Sequence, residues 1–123
     1  MLGPCRTSPE PAPSSRLANL FAAIPTADFA VGRAWWQERF FSGRAPDLIP
    51  NDHEACWRVA DSCWLYVIGD AERAGKGLAT LLVDDFDAWL KRLGDVGEIK
   101  TMPGGIRTCH IRDPEGNTVQ LGG

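Results

Sequence analysis

The sequence resembles itself at an offset of 57 residues, and this repeat restricts the possible folds more than any other feature. Ala22-Ala23-Ile24-Pro25-Thr26-Ala27-Asp28-Phe29 aligns with Ala79-Thr80-Leu81-Leu82-Val83-Asp84-Asp85-Phe86. In each copy an apolar run leads to an acidic residue suited to cap a helix, and a Phe then opens a helical stripe. About three short β-rich runs follow each helix. At roughly 55 residues neither half can bury its sheet face alone. Packed together, the halves can share one core and one concave surface. The fold class is therefore α+β, built as two βαβββ modules. The 123-residue chain divides into a Pro/Ser-rich tail over 1–16 and one domain over 17–123, with module one at about 17–70 and module two at about 76–123.

Within module one, Leu17–Ile24 reads as a strand ending at Pro25. Asp28 suits the N-cap of a helix of about 13 residues, with Phe29, Gly32, Trp36 and Phe40 on one stripe. Gly43 and Pro46 end it, and Trp35 and Phe41 pack at its edge. Glu54–Gly69 reads as a hairpin turning at Asp61-Ser62. If those two residues form the turn, Ala60 pairs with Cys63, Val59 with Trp64 and Trp57 with Tyr66. The period of two then gathers Trp57, Val59, Trp64 and Tyr66 on one face, with Cys56, Arg58, Leu65 and Val67 on the other. Such an aromatic face is either core or the floor of a cavity, and the pattern leaves both open.

Asp70–Gly77 is a polar connector whose Gly-Lys-Gly lacks the spacing of a phosphate loop. Leu78–Val83 reads as a strand, with Asp84 or Asp85 capping a helix whose apolar stripe is Phe86, Trp89, Leu90 and Leu93. Short strands follow near Glu98–Thr101, Ile106–Arg112 and Thr118–Leu121. Between the last two, Asp113-Pro114-Glu115-Gly116-Asn117 specifies a tight turn, with Pro presetting φ and Gly taking the left-handed position.

Several partners and compartments are disfavoured. Thirteen basic and sixteen acidic residues give a net charge of −3 with no basic cluster, so nucleic acid has no electrostatic footprint. No apolar run approaches the roughly 20 residues of a membrane helix. The segment 1–16 has no apolar stretch of the signal-peptide kind. The four cysteines, at 5, 56, 63 and 109, show neither CxxC nor zinc-finger spacing. Three of them lie in strand-like runs, where a thiol acts as a small hydrophobe. This reads as reduced thiols in a cytoplasmic protein.

The strand-then-Asp start at Phe21–Phe29, its repeat at Leu78–Phe86 and the ending DPEGNTVQL at Asp113–Leu121 together resemble the vicinal oxygen chelate superfamily, the glyoxalase/bleomycin-resistance/dioxygenase proteins. The resemblance covers about residues 17–123. It implies sheets curled into a cup that holds a ligand or a metal, and frequent dimers. Metal-dependent members carry ligands in the first strand of each module, in the last strand, and in some cases after the first hairpin. Those positions correspond here to Phe21, Leu78, Gln120 and the neighbourhood of Trp64 and Tyr66. Phe and Leu have no lone pair to give, and a Gln carbonyl is a poor substitute for carboxylate on a hard divalent ion. The resemblance thus implies a member without the usual metal site and without a cofactor. Enediolate and dioxygen chemistry would then lack its Lewis acid.

The same resemblance directs His110 into the cup, with Thr108 on the same side and Gln120 on the paired strand. His110 is the candidate general base or hydrogen-bonding group, although a sheet histidine stacked on Trp64 has the same pattern. Arg107 should face away, Arg112 could reach a rim, and His53 lies in the polar loop Pro50–Glu54. Phe21, Leu78, Trp64 and Tyr66 would line the cup. The expected function is metal-free binding of a small aromatic or planar molecule, with Trp57, Trp64 and Tyr66 stacking and His110 and Gln120 orienting. Two alternatives stand beside it. One is a lyase, isomerase or dioxygenase-type enzyme with a displaced metal or a His110 mechanism. The other is a structural homodimer with a filled cup.

Overall fold

The structure, a computed structural model, describes residues 16–123. The expected tail up to residue 15, with Cys5, lies outside the described residues.

The duplication reappears as topology. Module one comprises β1 (Leu20–Thr26), α1 (Phe29–Phe41), β2 (Leu48–Asn51), β3 (Glu54–Ala60) and β4 (Cys63–Gly69). Module two comprises β5 (Leu78–Leu82), α2 (Phe86–Leu93), β6 (Lys100–Thr101), β7 (Arg107–Arg112) and β8 (Thr118–Gly122). The sheet orders are β1-β4-β3-β2 and β5-β8-β7-β6, the same arrangement twice. In each sheet the strand preceding the helix pairs in parallel with the last strand of its module, while the other pairs are antiparallel.

Local chemistry explains the element boundaries. Asp28 accepts a hydrogen bond from the Val31 amide at 3.2 Å, and Asp85 rather than Asp84 accepts one from Ala88 at 3.0 Å. The α1 helix ends as Ser42 turns left-handed at φ 53. Gly32 belongs to the buried stripe because a Cβ there would lie 2.5 Å from the Thr26 methyl, so helix and strand approach closely only at glycine. The first strand starts at Leu20, not Leu17, and continues through Pro25 to Thr26. Proline is tolerated because β1 is an edge strand, with backbone on one side outside the ladder.

The β3–β4 register differs from the simple hairpin count. Ala60 pairs with Cys63 as expected, but Arg58, not Val59, pairs with Trp64, and Trp57 pairs with Leu65. Val59 is the extra residue of a β-bulge. One inserted residue reverses the facing of everything upstream on β3. Trp57 therefore leaves the face of Trp64 and Tyr66, and its side chain packs beneath α1. There it is 0% exposed, stacks on Phe41 at 4.6 Å, and donates its indole N–H to the Arg44 carbonyl at 2.9 Å.

One core joins the modules. Ile24, Trp36, Phe40, Leu65 and Val67 from module one form a single cluster with Phe86, Leu93, Val119 and Leu121 from module two. Each such side chain contributes roughly 1.5–3 kcal/mol when fully buried. Phe40 meets Trp89 across the helices at 5.7 Å, while Arg39 and Arg92 each donate to a carbonyl on the opposite helix.

A polar clasp closes one end of this seam. The buried Asp113 carboxylate accepts from the Trp36 indole at 3.0 Å, the Asn117 side chain at 2.9 Å, and the amides of Glu115 and Asn117. Asn117 also donates to the Pro25 carbonyl at 2.8 Å and accepts from the Gly77 amide at 2.7 Å. Glu115 accepts from the amides of Ala27 and Asp28 at the start of α1. The turn that sequence chemistry specifies thus ties module two to module one.

Candidate functional site

Each sheet packs one face on the helices and core, and the other face bears the candidate residues. In sheet one the register sends Phe21, Ala23, Arg58, Trp64, Tyr66 and Ile68 to that second face. Phe21 stacks on Trp64 with centroids 5.4 Å apart and planes 12° apart, and meets Tyr66 edge-on at 6.0 Å. Such pairs contribute about 0.5–1.5 kcal/mol beyond area burial. The group remains accessible: Phe21 is 46% exposed, and Trp64 and Tyr66 are half-buried. The Trp64 indole donates to Asn19 at 3.2 Å, which fixes its ring, and the Arg58 guanidinium lies 5.4 Å above it.

In sheet two, His110 pairs with Gln120, and Gln120 pairs with Thr80. The Thr80 hydroxyl donates to the Gln120 carbonyl oxygen at 3.2 Å, and among the described residues the Gln120 amide N–H groups meet no side-chain acceptor. Thr108 and Arg112 share the parity of His110. Arg107 faces the other way, over the Phe86 ring, with its guanidinium 2.9 Å from Asp87. This pair holds the Asp87 carboxyl below its ordinary value. Leu78 is 73% exposed on the edge strand β5.

The structure therefore brings Phe21, Trp64 and Tyr66 together, and separately aligns Thr80, Gln120 and His110. Among the described residues no hydrogen bond or ring contact joins one group to the other. Trp57 belongs to neither. His53 is exposed in its loop, where its ring Nδ1 lies 3.0 Å from Asp52, its amide donates to the Asn51 side chain and its carbonyl accepts from the Gly69 amide.

These positions do not suit a divalent ion. The Phe21 ring is engaged by Trp64, Leu78 is hydrocarbon, and the one neutral oxygen of Gln120 already accepts from Thr80. Among the described residues no group of three His, Cys, Asp or Glu side chains is gathered closely enough to hold a metal.

The connector after β4 adds a feature that sequence patterning missed. It lies beside the aromatic face and borders an open groove of about 610 Å³. Pro25, Tyr66 and Ile68 form its floor, and Asp70, Arg73 and Lys76 its rim. Arg73 contacts Asp70 at 2.8 Å and lowers the carboxyl pKa. The available signal was a pair of cations flanking Gly75 directly after an aromatic strand.

Fold and faces together define a duplicated βαβββ protein with an aromatic open sheet. No family model matches the sequence, and no curated protein matches it. Among solved structures, a glyoxalase/bleomycin resistance protein from Catenulispora acidiphila is 30% identical, with a TM-score of 0.76, covering 86% of this chain and 97% of that one. The chain belongs to the glyoxalase/bleomycin resistance protein family, within the vicinal oxygen chelate superfamily. The fold is also shared with a lactoylglutathione lyase from Agrobacterium tumefaciens, at 22% identity and TM-score 0.69, covering 85% of this chain and 92% of that one. It is shared too with a bleomycin-binding protein from Streptomyces verticillus, in complex with copper(II)-bleomycin, at 19% identity and TM-score 0.67, covering 86% and 95%.

Proposed function

We propose that this protein binds a small planar or aromatic molecule on the open face of sheet one, without a metal ion. The observation that carries this reading is the half-exposed Phe21–Trp64 stack beside Tyr66 on a helix-free face. Aromatic rings already stacked on one another in the free protein leave less to order when a ligand stacks on them. His110 and Gln120 would orient the ligand by hydrogen bonds. The Streptomyces structure, a complex with a small molecule, supports a binding role.

We further propose a homodimer in which a second copy brings its His110–Gln120 row over the aromatic face. The edge strands β1 and β5 support this, because Leu20 is 64% exposed and Leu78 more so. Unpaired apolar edges are commonly covered by another chain. The buried thiols of Cys56 and Cys109 support a reducing, cytoplasmic setting. The row itself favours a second reading, an enzyme of the lyase, isomerase or dioxygenase type in which His110 moves a proton.

The test is tryptophan fluorescence during titration with the neutral probe 2-naphthamide. Wild-type protein should show saturable quenching. Trp64→Ala should weaken binding by about two- to tenfold, the range of one aromatic pair. An identical response in the variant removes Trp64 from the site. Light scattering that finds only monomer at micromolar concentration refutes the dimer. Proton exchange at a substrate carbon, lost in His110→Ala, would replace the binding reading with the enzymatic one.

A further inference from the structure

Resting on that reading, we infer that the connector between the modules forms an anion subsite, so that the ligand is a planar acid rather than a neutral ring. The groove along the aromatic face continues from Tyr66 to the connector, where Arg73 and Lys76 stand against a single carboxylate, Asp70. Arg73 is engaged with Asp70 through Nη1 at 2.8 Å, while the Lys76 ammonium has no partner among the described residues. The groove lining thus sets two cations against one carboxylate beside an apolar floor, with Glu72 of the same connector outside the lining.

The connector is built rather than loose. The Asp70 amide donates to Thr26, Asp70 accepts from the Arg73 amide, and the Lys76 amide donates to the Arg73 carbonyl. Gly75 sits at φ +81, where a Cβ would lie 2.6 Å from the Glu115 carbonyl oxygen. The backbone carrying the two cations is therefore fixed against module two before any ligand arrives, and little ordering remains for binding. A ring lying on Tyr66 and Ile68 would direct a carboxylate substituent to Lys76, with Arg73 alongside it.

The experiment compares 2-naphthoate with 2-naphthamide, equal in ring and shape and different in charge, by calorimetry on the full chain. The acid should bind about fivefold tighter at low salt, the scale of one exposed ion pair, and lose that advantage in 0.5 M NaCl as screening sets in, about an 8 Å length already at 0.15 M. Lys76→Gln should erase the preference for acid over amide. Lys76→Arg should retain it. Equal binding of acid and amide, or an undiminished preference in Lys76→Gln, overturns the anion subsite while the aromatic site stands. Failure of both probes to bind overturns the aromatic site and the subsite with it.

Discussion

Replacing Asn117 with Ala tests how the two modules are held together. The Asn117 side chain is fully buried and makes three hydrogen bonds, two donated to Pro25 and Asp113 and one accepted from Gly77. Alanine removes all three and leaves the buried Pro25 carbonyl and the part-buried Gly77 amide without a side-chain partner. Each group so stranded costs about 1–3 kcal/mol, so a loss of about 3 kcal/mol is expected. A domain of this size has roughly 5–15 kcal/mol in total, so the variant should fold but melt early. In urea, monitored by tryptophan emission, a slope of about 1.5 kcal/mol/M converts the loss into a midpoint about 2 M lower. Trp36→Phe, which keeps the ring and deletes the donor to Asp113, should cost about 1.5 kcal/mol. The double variant should fall short of the sum, because both donors meet at Asp113 Oδ2. A midpoint within about 0.5 M of wild type for Asn117→Ala would show that the clasp contributes nothing net, and the account of the seam would be wrong.

Further outcomes follow from other contacts. Trp57→Ala should cost about 3–5 kcal/mol by thermal or urea unfolding, while Trp64→Ala on the open face should cost under about 1.5 kcal/mol; comparable losses would contradict the bulged register. The carboxyls of Asp47, Asp70 and Asp87 are held below their ordinary values. The Arg58 amide and then Arg44 act on the first, Arg73 on the second and Arg107 on the third. Their contribution is complete above the unfolded carboxylate value and fades as pH falls through the lowered ones, so stability should be level from neutral pH to about 5 and decline below about 4. Asp87→Asn should flatten part of that decline, and a steeper acid loss in this variant would contradict the ion pair. Burial raises the thiol pKa of Cys56 and Cys109, so both should react with a thiol reagent only at the rate of unfolding.

Short-range chemistry made much of the fold legible from sequence. Asp28 and Asp85 each act on an amide three residues away, and the Asp113–Asn117 turn is closed by its own residues, so each could be read locally. The bulge at Val59 could not. Asp47, eleven residues upstream of Arg58, accepts from the Arg58 amide at 2.8 Å and also pairs with Arg44. That contact lies beside the register break and belongs to the tertiary fold, not to the alternation along β3. Trp64 and Tyr66 share a face by alternation along β4, and Phe21 joins them through the regular β1–β4 register. Simple alternation places Trp57 beside Tyr66, but the bulged Val59 between it and the hairpin turn sends it to the opposite face. The groove at Lys76 is not legible in the sequence because connector and Tyr66 meet only after the strands have paired.

The clasp is one-sided. Module one turns its matching hairpin through Asp61-Ser62, which offers neither an amide side chain nor a long carboxylate to reach across. The halves of this duplicated chain have therefore ceased to be interchangeable. A tandem of two second halves would keep the turn but set Leu93 where Trp36 donates its indole N–H to Asp113, whereas a tandem of two first halves would lack the turn and rely on the apolar seam alone.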